Sequence, residues 1–171
     1  MKKKIAFVTG HRYISGHWNR EVNNLIDLAL EKQISHFLVG MALGTDQVFA
    51  ERLSARKIPW TAVVPCRTQA NPWPKRQQMH YKKLLENASK QVVLFEEYSR
   101  GVMQSRNLYM VRHSVLCLAV YDGRLTGGTH HAINAAKGRM DIVVFNPSKS
   151  SFRLIPGPTQ LSLFQHTNAQ V

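Results

Sequence analysis

The feature that most restricts how this chain can fold is the stretch from Leu116 to Ala136. Leu116 to Tyr121 is an apolar run without a turn former, and Asp122, Gly123, Gly127 and Gly128 break it before Ala132, Ile133 and Ala136 resume as a helical stripe. A strand with no polar side belongs inside a sheet covered on both faces, which in practice is a parallel sheet flanked by helices. Thr129 reads as the N-cap of the helix. A glycine turn between such a strand and a helix N-terminus leaves backbone N–H groups free for an anion, so a phosphate-bearing ligand is expected there.

The rest of the chain repeats the alternation. Lys4 to Thr9 is a β-rich run ended by Gly10, and His11 to His17 reads as its loop. Val22, Leu25, Ile26 and Ala29 stripe a helix over Trp18 to Lys32, and His36 to Val39 is a short strand. Gly40 to Gly44 forms a second glycine loop, after which Thr45 and Asp46 suit a helix N-cap and first turn. Helix Asp46 to Lys57, strand Trp60 to Val64 ended by Pro65, loop Cys66 to Pro74, helix Lys75 to Asn87 and strand Gln91 to Phe95 come next. A helix containing Met103 to Met110 leads into the central strand, and Asp141 to Phe145 closes the pattern. The expected architecture is a Rossmann-like α/β fold: a parallel sheet of about six strands, helices on both faces, one domain over residues 1–146.

From Pro147 the periodicity stops, and residues 147–171 are expected to form a tail. Gln160-Leu161-Ser162-Leu163-Phe164 puts three large apolar residues into this polar stretch, a pattern suited to a groove on another protein.

Composition narrows the partners. Lysine and arginine outnumber acidic residues 23 to 10, a formal net charge of +13 that favours nucleic acid or small polyanions. The densest cluster, Lys75, Arg76, Lys82 and Lys83, fits a solvated helix face as well as a DNA contact. No apolar run is long enough for a membrane span and Lys2 to Lys4 lead straight into a strand pattern, so a cytoplasmic protein without membrane contact is expected. Cys66 and Cys117 lack CxxC spacing, which argues against a disulfide or a metal site. Homo-oligomerisation stays open.

Several side chains are placed near the glycine loops. Met103, Arg106 and Met110 share a helix face, and a guanidinium between two methionines calls for an anionic partner; the plain alternative is a stem on apolar surface with its head in water. On the first reading Arg106→Ala abolishes ligand binding with little change in melting. Asp46 and Asp122 are candidates to hold a ribose hydroxyl or a water, Asp46 equally a helix-start carboxylate. His11 and Arg12 line the site or solvate a loop. Gln69 and Trp73 close over a base or pack the long loop. Adjacent His130 and His131 diverge by about 100 degrees on a helix and make a poor ligand pair.

Five ordered motifs carry a resemblance: Thr9-Gly10-His11-Arg12, Gly40-x-x-x-Gly44-x-Asp46, Pro65-x-x-x-Gln69-x-x-x-Trp73, Arg106-Asn107-x-x-Met110, and Tyr121-Asp122-Gly123 with Gly127-Gly128-Thr129. Together they resemble the YpsA-like branch of the SLOG superfamily, which includes the LOG phosphoribohydrolases and the DNA-processing protein DprA. The resemblance implies a Rossmann-like fold whose strand-end loops bind a nucleotide or nucleotide-derived ligand. It places Thr9, Gly10, His11, Arg12, Gly40 and Gly44 in the binding loops, with Thr45, Asp46, Arg106, Asn107, Asp122 and Gly127 to Thr129. Met103 to Met110 is similar to the LOG segment M-x-x-R-K-x-x-M, which gives Arg106 the LOG arginine role. The LOG motif PGGxGTxxE is matched only at Gly128-Thr129, and its glutamate falls on Ala132. An alanine can neither polarise a ribose hydroxyl nor stabilise an oxocarbenium-like centre, so a binder or sensor is favoured. The rivals are an N-glycosidic hydrolase using Arg106, Asp122 or Asp46, and a DprA-like DNA-binding module. Gln160 to Phe164 resembles the QL[SD]LF consensus that docks bacterial proteins on the DNA polymerase sliding clamp.

Overall fold

The computed structural model describes residues 3–12 and 18–158. Strands and helices alternate as far as the sixth strand: β1 Ile5–Gly10, α1 Asn19–Glu31, β2 His36–Val39, α2 Thr45–Ala55, β3 Trp60–Cys66, α3 Lys75–Asn87 and β4 Lys90–Phe95. Then come α4 Val102–Arg112, β5 Leu116–Val120, α5 Gly128–Ala136, β6 Asp141–Asn146 and β7 Ser151–Ile155. The seven strands lie in the order β4-β3-β2-β1-β5-β6-β7, all parallel except β7.

Period-two alternation in β1 feeds two cores. Ala6 and Val8 pack with Val22, Leu25, Phe49 and Leu53 on the α1, α2 and α3 side. Phe7 packs with Met110, Ala132 and Ile133 on the α4 and α5 side. Every residue of β5 is buried, as expected of an apolar strand at the centre of such a sheet.

The chain departs from expectation at two places. β3 runs through Pro65 to Cys66, pairing Val64 with Val93 and Cys66 with Phe95 on either side of it. Its ladder with β2 ends at Ala62, so beyond that point only one edge is paired and a residue without an N–H is tolerated. Second, the segment expected to begin a tail contains β7, making seven strands rather than six. The Asn146 side chain accepts the N–H groups of Ser148 and Lys149 at 2.9 and 3.2 Å, and this turn reverses the chain into a strand antiparallel to β6. Gln160 to Phe164 lie outside the described residues.

Candidate functional site

Sheet order reverses at β1, whose neighbours β2 and β5 leave in opposite directions, and loops after strands splay apart at such a point. A cleft of about 420 Å³ opens there. Thr9, Gly10, His11 and Arg12 form one wall, Gly127, Gly128 and Thr129 the other, and Asp46 and Arg106 reach it from beneath.

Arg106 neither reaches into water nor merely covers apolar surface, since only 7% of the residue is exposed. Its Nη1 donates to the Gly40 carbonyl at 2.7 Å, and its Nε and Nη2 donate to Asn107 Oδ1 at 3.3 and 3.1 Å. Asn107 in turn donates from Nδ2 to the Gly128 carbonyl at 3.0 Å, tying the guanidinium to the first turn of α5. Gln69 Nε2 reaches the same Gly40 carbonyl at 3.5 Å, and Gln69 Oε1 accepts the Tyr81 hydroxyl at 3.3 Å. Burial pushes that hydroxyl up to about 12, so it stays a donor. Asp46 Oδ2 lies 4.0 Å from Arg106 and accepts the Ala42 N–H at 3.1 Å. Burial raises the Asp46 carboxyl above its ordinary value, against the pull of Arg106 and the Ala42 N–H. The same burial lowers the Arg106 pKa against the pull of Asp46, so the two groups on the floor of the cleft are coupled.

The glycines divide into two kinds. A Cβ on Gly10 would fall 2.4 Å from Thr45, one on Gly40 2.8 Å from Arg106, and one on Gly44 2.1 Å from the Arg12 carbonyl. Those three let protein pack on protein; Gly10 and Gly44, expected to admit a ligand to the backbone, owe their identity first to this. Around Gly127, at φ +94°, and Gly128 no atom lies within 4 Å of the added Cβ. The Gly127–Gly128 turn is thus open to a visitor. The expected side-chain caps also differ. The N-cap positions are Gly44 and Gly127, so Thr45 and Thr129 lie inside the first turns. Thr45 Oγ1 instead donates to the His11 carbonyl at 3.0 Å, locking the β1 loop onto α2.

Asp122 is engaged by its neighbours. Arg124 grips its carboxylate through side chain and backbone, which with His11 holds it well below the usual carboxylate range. Burial lowers the His11 pKa against the pull of Asp122, whose Oδ1 and backbone nitrogen lie 2.8 and 3.1 Å from the ring Nε2. His130 and His131 do diverge: His130 meets Tyr121 and Asn134, whereas His131 turns toward Asn107. Arg124 and Gln104 also line the cleft and were not singled out from sequence. Arg124 was findable, standing two residues beyond Asp122 in a glycine turn; nothing distinguishes Gln104.

The model of the YpsA family, described as the YspA SLOG family, matches residues 9–146. The chain belongs to this family. The match runs from the end of β1 to the end of β6 and encloses both glycine loops of the SLOG fold. The uncharacterized SPbeta prophage-derived protein YoqJ of Bacillus subtilis (strain 168) is 32% identical over 129 residues, 65% of this SLOG chain and 74% of YoqJ. DNA processing protein A (DprA) from Streptococcus pneumoniae superimposes with a TM-score of 0.63 at 18% identity, over 83% of this chain and 50% of that one. DprA from Helicobacter pylori, described for its unique single-stranded DNA binding mode, gives 0.61 at 16%, over 82% and 64%. This SLOG chain thus spans half of one DprA and 64% of the other, and at these identities the likeness is one of fold. Among the described residues, no helix is long and apolar enough to cross a membrane.

Proposed function

We propose that this SLOG protein binds a nucleotide-derived ligand in the cleft, its phosphate at the start of α5. The observation that carries the reading is the buried Arg106 facing an open glycine turn across the cleft. The first N–H groups of α5 have no partner within their own helix, and the first helical bond runs from His131 to Gly127. Dipole and guanidinium favour the same charge in the same space. Calorimetric titration with ribose 5-phosphate and nucleoside monophosphates tests it. Binding weakened at least about tenfold by Gly128→Ala is expected, because the added Cβ projects into the space of the phosphate and holds it off one backbone N–H, and unchanged binding refutes the phosphate position.

N-glycosidic hydrolysis is the second reading, supported by a buried carboxyl, Asp46, at the floor of the cleft, whose burial raises its pKa in the direction an acid needs. Free base and ribose phosphate released from a monophosphate, and lost with Asp46→Asn, would establish it. The net charge of +13 supports contact with single-stranded nucleic acid, recognisable by affinity that falls steeply with salt. Gln160 to Phe164 supports docking on a sliding clamp.

A further inference from the structure

A second cavity of about 430 Å³ adjoins the cleft, and Arg12 and Met103 line both. Its volume lies within the range of roughly 300–1,000 Å³ common for small-molecule sites. The long loop between β3 and α3 builds it, with Gln69 and Trp73, and Tyr98 lines it from the loop after β4. Trp73 is held edge-on to Tyr81 at 5.3 Å and 87°, and Tyr81 is pinned by its bond to Gln69. The indole is therefore oriented before any ligand arrives. Tyr98 is 66% exposed, an aromatic ring the core does not use, and its backbone N–H is fixed to Thr68 Oγ1 at 3.1 Å.

We propose that this aromatic cavity is the nucleobase subsite: a heteroaromatic ring lies against Trp73 and Tyr98 while its phosphate occupies the Gly127–Thr129 turn, with Arg12 and Met103 at the junction. The inference rests on the phosphate reading above and assigns the other half of the same ligand. Stacking is tolerant of base identity, and among the described residues no carboxylate lines the cavity to repel the nucleotide. The same chemistry is offered by a free nucleotide and by single-stranded nucleic acid.

The full-length protein is titrated with ribose 5-phosphate, with four ribonucleoside monophosphates and with a short single-stranded oligonucleotide. In the wild type the monophosphates are expected to bind at least about fivefold tighter than ribose 5-phosphate, the low end of one base–aromatic stack. Trp73→Ala and, independently, the exposed-site variant Tyr98→Ala should erase that advantage and leave ribose 5-phosphate affinity unchanged. Trp73→Phe should restore it while losing the fluorescence quench that nucleotide causes in the wild type. An oligonucleotide that shows the same sensitivity to both variants, with affinity falling steeply in salt, identifies nucleic acid as the source of the base; tighter monophosphate binding identifies the free nucleotide. Equal affinity for ribose 5-phosphate and monophosphates in the wild type overturns the subsite and spares the phosphate reading. So does a loss that strikes both probes equally in the two alanine variants. Failure of every probe to bind overturns both.

Discussion

Arg106 joins three segments that sequence separation hides: the Gly40 carbonyl after β2, Asn107 beside it on α4, and through Asn107 the first turn of α5. Arg106→Ala would leave the Gly40 carbonyl and Asn107 Oδ1 without their buried donor, so unfolding free energy should drop by at least about 2 kcal/mol. The expectation of nearly unchanged melting, which suits an arginine at the surface, is thereby corrected. Urea denaturation measures the loss, and an added Asp46→Asn should recover part of it because the two groups are coupled. Gly44→Ala and Gly128→Ala form a contrasting pair. Gly44 sits at φ +83° with the Arg12 carbonyl where a Cβ would be, and its replacement should cost about 2 kcal/mol or more. Gly128 has open space around it, so Gly128→Ala should change stability by less than about 0.5 kcal/mol while weakening ligand binding. His11 supplies the pH dependence. Burial holds its pKa below 6.5, so below that value the unfolded chain takes up a proton that the folded chain resists. Stability is then fully present above pH 6.5 and falls as pH drops below it, with His36 adding to the same slope through its own lowered pKa. Thermal melts between about pH 7 and 5 should show the decline, and His11→Gln should flatten part of it.

At the scale of elements, periodicity was enough to place nearly every helix and strand because each apolar stripe really does face a core. His36–Val39 and Lys75–Asn87 lie where the pattern puts them. β7 was not legible for the same physical reason in reverse. Phe152 and Leu154 remain 41% and 52% exposed, so the strand carries no buried apolar stripe for periodicity to reveal, and its ladder with β6 and the Asn146 turn position it. The cleft was legible as two glycine loops, but not which of them is open. Whether a glycine accommodates a ligand or a neighbouring side chain is decided by contacts such as Thr45 on Gly10, which lie far apart in sequence. The paired role of Asn107, accepting from Arg106 and donating to Gly128, was hidden likewise.

For the whole molecule, β7 carries the folded unit past the sixth strand. Phe152 packs on Phe145 with ring centroids 5.0 Å apart, and the Gly157 N–H is fixed to Asp141 Oδ1 at 2.9 Å, so the sheet uses the chain beyond the sixth strand. A chain ending at Ser150 should lose these contacts and the entire β6–β7 ladder, and its urea midpoint should fall clearly below that of the full protein. A chain ending at Pro158 keeps them and should unfold like the full protein. The same shorter chain removes Gln160 to Phe164, which makes it the instrument for the clamp proposal. Surface plasmon resonance on immobilised sliding clamp should detect the full protein and not the chain ending at Pro158, whereas both should bind nucleotide with the same affinity. Equal capture of the two chains would place any clamp contact on the folded domain and dismiss the motif. If the proposed ligand site and the proposed clamp motif act independently, Gly128→Ala should impair nucleotide binding without touching clamp capture.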